Sequence, residues 1–83
     1  MKRNRSHLAH LCAGAMARDL EVDIDGHSGR IRRMFIDRER ERRFRKLRLA
    51  DRVGLSTVCL EVEGRVIGLD EVGRFEREDG VQW

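Results

Sequence analysis

Proline and tyrosine are absent from this 83-residue chain, and neither absence excludes anything by itself. Three other scarcities do exclude classes of function. Cysteine occurs twice, at Cys12 and Cys59, so at most one disulfide can form. No apolar run with a cleavage site precedes them, and a reduced cytoplasmic interior is the expected setting. No apolar run approaches the ~18 residues that span a membrane, which predicts a soluble protein with no membrane partner. Aromatic residues are sparse, and within the basic part of the chain they are limited to Phe35 and Phe44, both wanted by a core. A stacking platform for single strands is therefore not expected. Catalytic signals are missing too: no phosphate-cradling glycine loop and no nucleophile in a recognisable setting. A chain this short has little room for a deep pocket, so no enzyme is expected.

What the chain does have is arginine. Sixteen of its eighteen basic residues are Arg. The planar fork of guanidinium donors suits phosphate and carboxylate, whereas lysine would serve solubility equally well; a GC-rich genome would favour the same bias. The charge is also concentrated. Residues 30–52 read RIRRMFIDRERERRFRKLRLADR, eleven Arg or Lys against four acids, a net +7 in a molecule whose total is +3. The rest of the chain therefore carries −4.

The periodicities predict one α+β domain over residues 1–83, with a basic arm at 1–5 and an acidic tail at 77–83. Ser6 is placed to cap a helix running to about Arg18, whose stripe is Leu8, Leu11, Cys12, Ala15 and Met16. Leu20 to Asp25 alternates apolar and acidic residues, the pattern of a half-buried strand with carboxylates outward. Residues 25–29 contain two glycines and read as a turn, after which 30–36 returns as a second strand, although Arg32-Arg33 before Met34-Phe35-Ile36 breaks the alternation. Asp37 is a candidate cap for an arginine-rich helix supported by Glu39–Arg43 and Glu41–Arg45, with Phe44, Leu47 and Ala50 as its apolar stripe. Residues 43–49 also admit a strand. Thr57 to Val62 and Arg65 to Leu69 form a second hairpin about Glu63-Gly64, with a turn or strand after it that buries Val72 and Phe75. Trp83 either docks on the domain or hangs free. The expected architecture is an N-terminal helix and two antiparallel β-hairpins forming a small bent sheet, with the arginine-rich helix between them.

Metal and cofactor sites are not expected. His7 and His10 lie one turn apart, but structural zinc sites usually carry two paired-ligand segments and only one is present. On a helix His10 and Cys12 point about 200° apart. Asp23-x-Asp25-Gly26 starts like a calcium loop, yet Met34 stands where that loop requires glutamate. Asp23, Asp25, Glu61 and Glu63 are expected as outward, solvated carboxylates.

The candidate binding residues are Arg32, Arg33, Arg38, Arg40, Arg42, Arg43, Arg45 and Lys46. Such a face can neutralise several phosphates and release their counterions, giving salt-sensitive, largely sequence-independent affinity for DNA or RNA. It can also grip an acidic or nucleic-acid-binding protein, or be neutralised by the acids of its own flanks.

Residues 49–56, Leu-Ala-Asp-Arg-Val-Gly-Leu-Ser, resemble the first helix and turn of a helix-turn-helix motif, which would require a recognition helix from about Thr57 to Gly64. Residues 64–75 have the form G-x-x-x-x-L-D-x-V/I-x-x-F and resemble the closing strands of small Sm-like and SH3-like barrels, among them the Rof family of Rho-termination inhibitors and WYL-type regulatory domains. The N-terminal helix with Leu20–Ile24 and Asp25-Gly26 after it is similar to the start of the Rof pattern, relative to which the arginine block is an insertion. The resemblance implies a strongly bent sheet and a role linked to transcription or RNA, and carries over no specific functional residue.

Two functions are therefore expected to compete. One is a small non-enzymatic regulator that binds the phosphate backbone. The other is a protein-directed inhibitor or adaptor of the kind found in phage and mobile elements, which occludes a nucleic-acid machine, for instance an anti-CRISPR-like or transcription-machinery inhibitor. Homo-oligomers through exposed hairpin edges are a further option.

Overall fold

The structure is a computed structural model that describes residues 4–83. The chain is α+β: helix α1 (Arg5–Ala17), strands β1 (Glu21–Ile24) and β2 (His27–Ile36), helix α2 (Arg38–Arg45), strands β3 (Val58–Val62) and β4 (Arg65–Gly68), and strand β5 (Phe75–Arg77). Two short 3₁₀ turns, Leu49–Arg52 and Leu69–Glu71, lie in the connections. The five strands form one antiparallel sheet in the order β4-β3-β2-β1-β5.

α1 starts two residues before the expected cap. Asn4, not Ser6, holds the cap position, its side chain accepting from the Ser6 N–H at 2.8 Å. Leu8, Cys12 and Ala15, at spacings of four and three, are fully buried against Val22, Ile24, Ile31, Leu60 and Val62 of the sheet. Met16 is exposed rather than part of that stripe. Leu69, Val72 and Phe75 complete the core from the segment after β4.

Both hairpin turns take two residues. Asp25 and Gly26 have φ of 50° and 88°, and Glu63 and Gly64 have 46° and 82°. Positive φ at both central positions is the mirror-image turn whose twist matches antiparallel strands, which is why glycine stands second in each. The first turn is thus shorter than the expected 25–29, and β2 begins at His27. Asp25 lies in the turn, where its carboxylate accepts the backbone N–H groups of Gly73 and Arg74 at 3.0 and 2.7 Å and ties the chain before β5 to this hairpin.

β2 pairs with β1 along its first half and with β3 along its second. Between the halves Arg32 is an extra residue: Ile31 faces Val62 and Arg33 faces Glu61. That bulge is the reason the alternation fails at Arg32-Arg33, and a bulged strand bends.

The C-terminal segment closes the sheet edge. Arg77 N–H donates to the Val81 carbonyl at 2.8 Å, Gln82 bridges to Glu76, and Trp83 N–H donates to the Phe75 carbonyl at 3.1 Å. Trp83 docks, its indole N–H on the Asn4 carbonyl at 3.0 Å and the Arg5 guanidinium over its ring. Arg5, expected in a basic arm, instead opens α1 and donates to the Leu69 and Val72 carbonyls. Asn4 of that arm is the α1 cap, and residues 1–3 lie outside the described residues.

The helix-turn-helix expectation is overturned. Leu49–Arg52 is a single 3₁₀ turn, and the residues that would form a recognition helix are β3 and its turn. The β-branched run Thr57-Val58 and the cross-strand partners Ile36 and Met34 outweigh the local helical signal.

Candidate nucleic-acid interface

The expected cap of the basic helix is in place: the Asp37 carboxylate accepts the Arg40 N–H at 3.2 Å. The helical reading of the basic block holds for Arg38–Arg45, and both expected pairs form, Glu39–Arg43 at 3.4 Å and Glu41–Arg45 at 2.5 Å. The helix ends sooner than its pattern promised. Lys46 is the C-cap, Arg48 lies beyond the helix, and Ala50 is exposed instead of apolar-packed. Arg52 secures the loop beyond the helix, donating to the Leu47 and Arg45 carbonyls with its guanidinium 4.9 Å from the centre of the Phe44 ring.

At 3.6 residues per turn, α2 sorts its charges by face. Arg40 and Phe44 turn inward. Arg38, Arg42, Arg45 and Lys46 fall within about 100° of one another on the opposite side. Arg38, Arg42 and Arg45, with Glu41, line a shallow hollow of about 300 Å³. Among the described residues Arg38, Arg42, Lys46 and Arg48 form no ion pair.

Arg40 is used internally. Its guanidinium donates to Asp70 at 2.9 Å and to Glu71, and approaches Asp37 at 3.9 Å. Asp70 in turn accepts the Ser56 N–H at 3.2 Å. The hydrogen bond to Glu71, with the nearby Asp70 charge, raises the Arg40 pKa further. Gly68 makes room for this arrangement: a Cβ there would stand 2.7 Å from the guanidinium. Cys59, paired with Gly68 across the strands, lies beneath, and burial pushes its thiol up against the opposing pull of Arg40. The network fastens α2 to the Leu69–Glu71 turn that follows β4.

The two sheet arginines are also neutralised. Because of the bulge, neighbouring Arg32 and Arg33 meet Glu63 and Glu61, which alternate along the same side of the chain, at 3.3 and 3.4 Å. Arg33 also stacks over Phe35, 4.2 Å from the ring centre. Glu63 accepts the Arg30 N–H as well, and that bond together with the Arg32 charge holds its carboxyl below the ordinary range. Gly29 is needed here by close approach, since a Cβ would lie 2.1 Å from Glu63 Cγ.

No family model matches the chain, and no curated protein or solved structure matches it either.

Of the eight candidates, the structure gathers Arg38, Arg42, Arg45 and Lys46 on one exposed face and sets Arg43 at its flank. It separates Arg32 and Arg33 onto the sheet and draws Arg40 inward. Arg48, which is not among the eight, is exposed just beyond the helix. His7 and His10 are exposed on α1, and among the described residues no group of three or more His, Cys, Asp or Glu is placed to hold a metal ion. Cys12 and Cys59 are both buried and both free, and burial pushes the Cys12 thiol up to about 12. No helix among the described residues is long and apolar enough to cross a membrane.

Proposed function

We propose that the chain is a small, non-enzymatic, nucleic-acid-associated regulator of the cytoplasm that holds the phosphate backbone on the outer face of α2. The observation that carries this reading is the set Arg38, Arg42 and Lys46, exposed on one face without an ion-pair partner among the described residues. Arg43 and Arg45 add to it, because their partners, exposed Glu39 and half-buried Glu41, are neighbours on the same helix. Pairs of that kind are worth only about 0.3–0.5 kcal/mol, so a phosphate can compete for them. Arg40, Arg32 and Arg33 belong to the scaffold. The bulged, two-sided pairing of β2 supports the bent sheet implied by the Sm-like resemblance, and structured RNA is accordingly the first polymer to test beside mixed-sequence duplex DNA.

The test is fluorescence anisotropy with both polymers at low salt. Simultaneous Arg38→Glu, Arg42→Glu and Lys46→Glu should abolish binding, while Arg32→Gln should change it little. Undiminished binding by the triple variant would contradict the reading.

A second reading, occlusion of a protein partner, is favoured by one observation. Leu49, Val53 and Leu55 are large apolar side chains exposed beside the basic helix.

A further inference from the structure

The loop after α2 carries more apolar surface than a phosphate-binding helix requires. Leu49 and Val53 are 80% and 79% exposed, and Leu55 is 46% exposed. Isolated exposed aliphatics are ordinary, but three within seven residues on a stapled loop form a concentrated patch. Beside it lies a groove of about 300 Å³ walled by Phe44, Leu47 and Leu55, with Arg43 on its rim and the Arg40–Asp70 pair on its other side. Its volume is at the lower end for a ligand site and suits one or two apolar side chains rather than a cofactor.

The chemistry of the rim selects the occupant. Arg43 is exposed and held only by the equally exposed Glu39, and Arg48 at the start of the loop has no ion pair among the described residues. A sugar–phosphate backbone satisfies such cations but offers nothing to cover three aliphatic side chains. A basic peptide would be repelled. A segment with an apolar anchor flanked by carboxylates meets both demands, burying aliphatic surface at the centre and pairing charges at the rim, the usual division of labour in protein interfaces.

We propose that the groove between α2 and the 47–55 loop docks an acidic protein segment bearing a leucine- or phenylalanine-sized anchor. This site is on the flank of α2 next to, and distinct from, the Arg38–Arg42–Lys46 face. The chain would thereby hold a protein and a nucleic acid on adjoining surfaces of one helix, and the groove stands whether or not the polymer reading does.

The experiment is selection from a random-peptide display library against the full chain, then anisotropy of the enriched peptides carrying a fluorophore. The expected peptides have one or two large apolar residues among Asp and Glu. Leu55→Asp should weaken them at least tenfold, and Arg43→Glu should remove the acidic bias of a fresh selection. Arg38→Glu with Arg42→Glu, aimed at the phosphate-binding face, should leave peptide affinity within about twofold. Leu55→Ser serves as a milder variant if Leu55→Asp loses its circular dichroism signal. The proposal is overturned by no enrichment over the Leu55 variant, or by enriched peptides that are basic. A concentration-dependent dimer that Leu55→Ser abolishes would identify a second copy as the occupant and equally overturn it.

Discussion

Replacing Arg40 by methionine tests whether α2 is held by charge. Methionine keeps an unbranched stem but removes every donor, including the guanidinium that lies against Gly68. Two bonds to acids are lost, and their surroundings differ. The Asp70 side chain is 13% exposed and that of Arg40 28%, whereas Glu71 is 56% exposed. A shielded, charge-assisted bond contributes about 1.5–3 kcal/mol, because its carboxylate stays buried when the partner is gone. The Glu71 bond, reaching a more exposed carboxylate, adds no more than about 1 kcal/mol. The expected loss is about 2–3 kcal/mol. In a domain of this size each kcal/mol moves the midpoint by about 4–8 °C, so the thermal transition should fall by roughly 10–20 °C. Thermal and urea unfolding monitored by circular dichroism measure it. Gly68→Ala provides an independent route to the same state, since the new Cβ displaces the guanidinium. If the network is the common target, the double variant Gly68→Ala/Arg40→Met should be little worse than Arg40→Met alone. A loss below about 0.5 kcal/mol for Arg40→Met, or full additivity of the two changes, would show that α2 is not held by this charge network.

The C-terminal closure and the core lead to further expectations. Buried Arg77 donates to Asp79 at 3.0 and 2.5 Å, and this bond lowers the Asp79 carboxyl to about 2 from an ordinary 3.8. A depressed acid stabilises the fold above its unfolded-state pKa and loses that contribution as pH falls through its folded value. Urea unfolding should therefore show stability lost between about pH 4 and pH 2, and Asp79→Asn should lack that component; an unchanged acid limb in the variant would count against the pairing. Cys12, fully buried with its thiol near 12, should resist iodoacetamide at neutral pH until the chain unfolds. Mass spectrometry after timed labelling reads this directly, and rapid labelling of Cys12 in the folded protein would show that α1 opens locally. Phe75→Ala removes one of the largest fully buried side chains and should cost about 3–5 kcal/mol, measured as a loss of the cooperative urea transition.

What the sequence made legible was local. The Glu63-Gly64 turn announces itself through its dipeptide, the turn after β1 was legible only as a longer 25–29 segment, and the Asp37 cap with its Glu-to-Arg pairs marks α2. These signals act over four residues or fewer. The features that decide the site act over much longer separations. Arg40 meets Asp70 and Glu71 thirty residues away, and no spacing rule singles it out from the arginines beside it. The bulge at Arg32 is visible only as failed alternation, and its consequence, two neighbouring arginines facing two acids of β3 and its turn, needs the partner strand's register. The helix-turn-helix resemblance failed for the same reason, because strand pairing with β2 outweighs the local preference of residues 57–64. Likewise the acidic C-terminus reads as a tail until Arg77, Gln82 and Trp83 are seen closing the β5 edge.

Salt dependence of binding probes the proposed phosphate contacts of the outer α2 face. For duplex DNA the logarithm of affinity falls against the logarithm of salt concentration by about 0.9 for each phosphate neutralised. Arg38, Arg42, Lys46 and the adjacent Arg45 lead to an expected slope of roughly −3 to −4 by that rule. Arg42→Gln should reduce the slope by about 0.9 without changing the fold. Affinity that does not respond to salt, or a slope unaltered by Arg42→Gln, would show that these side chains do not neutralise phosphates.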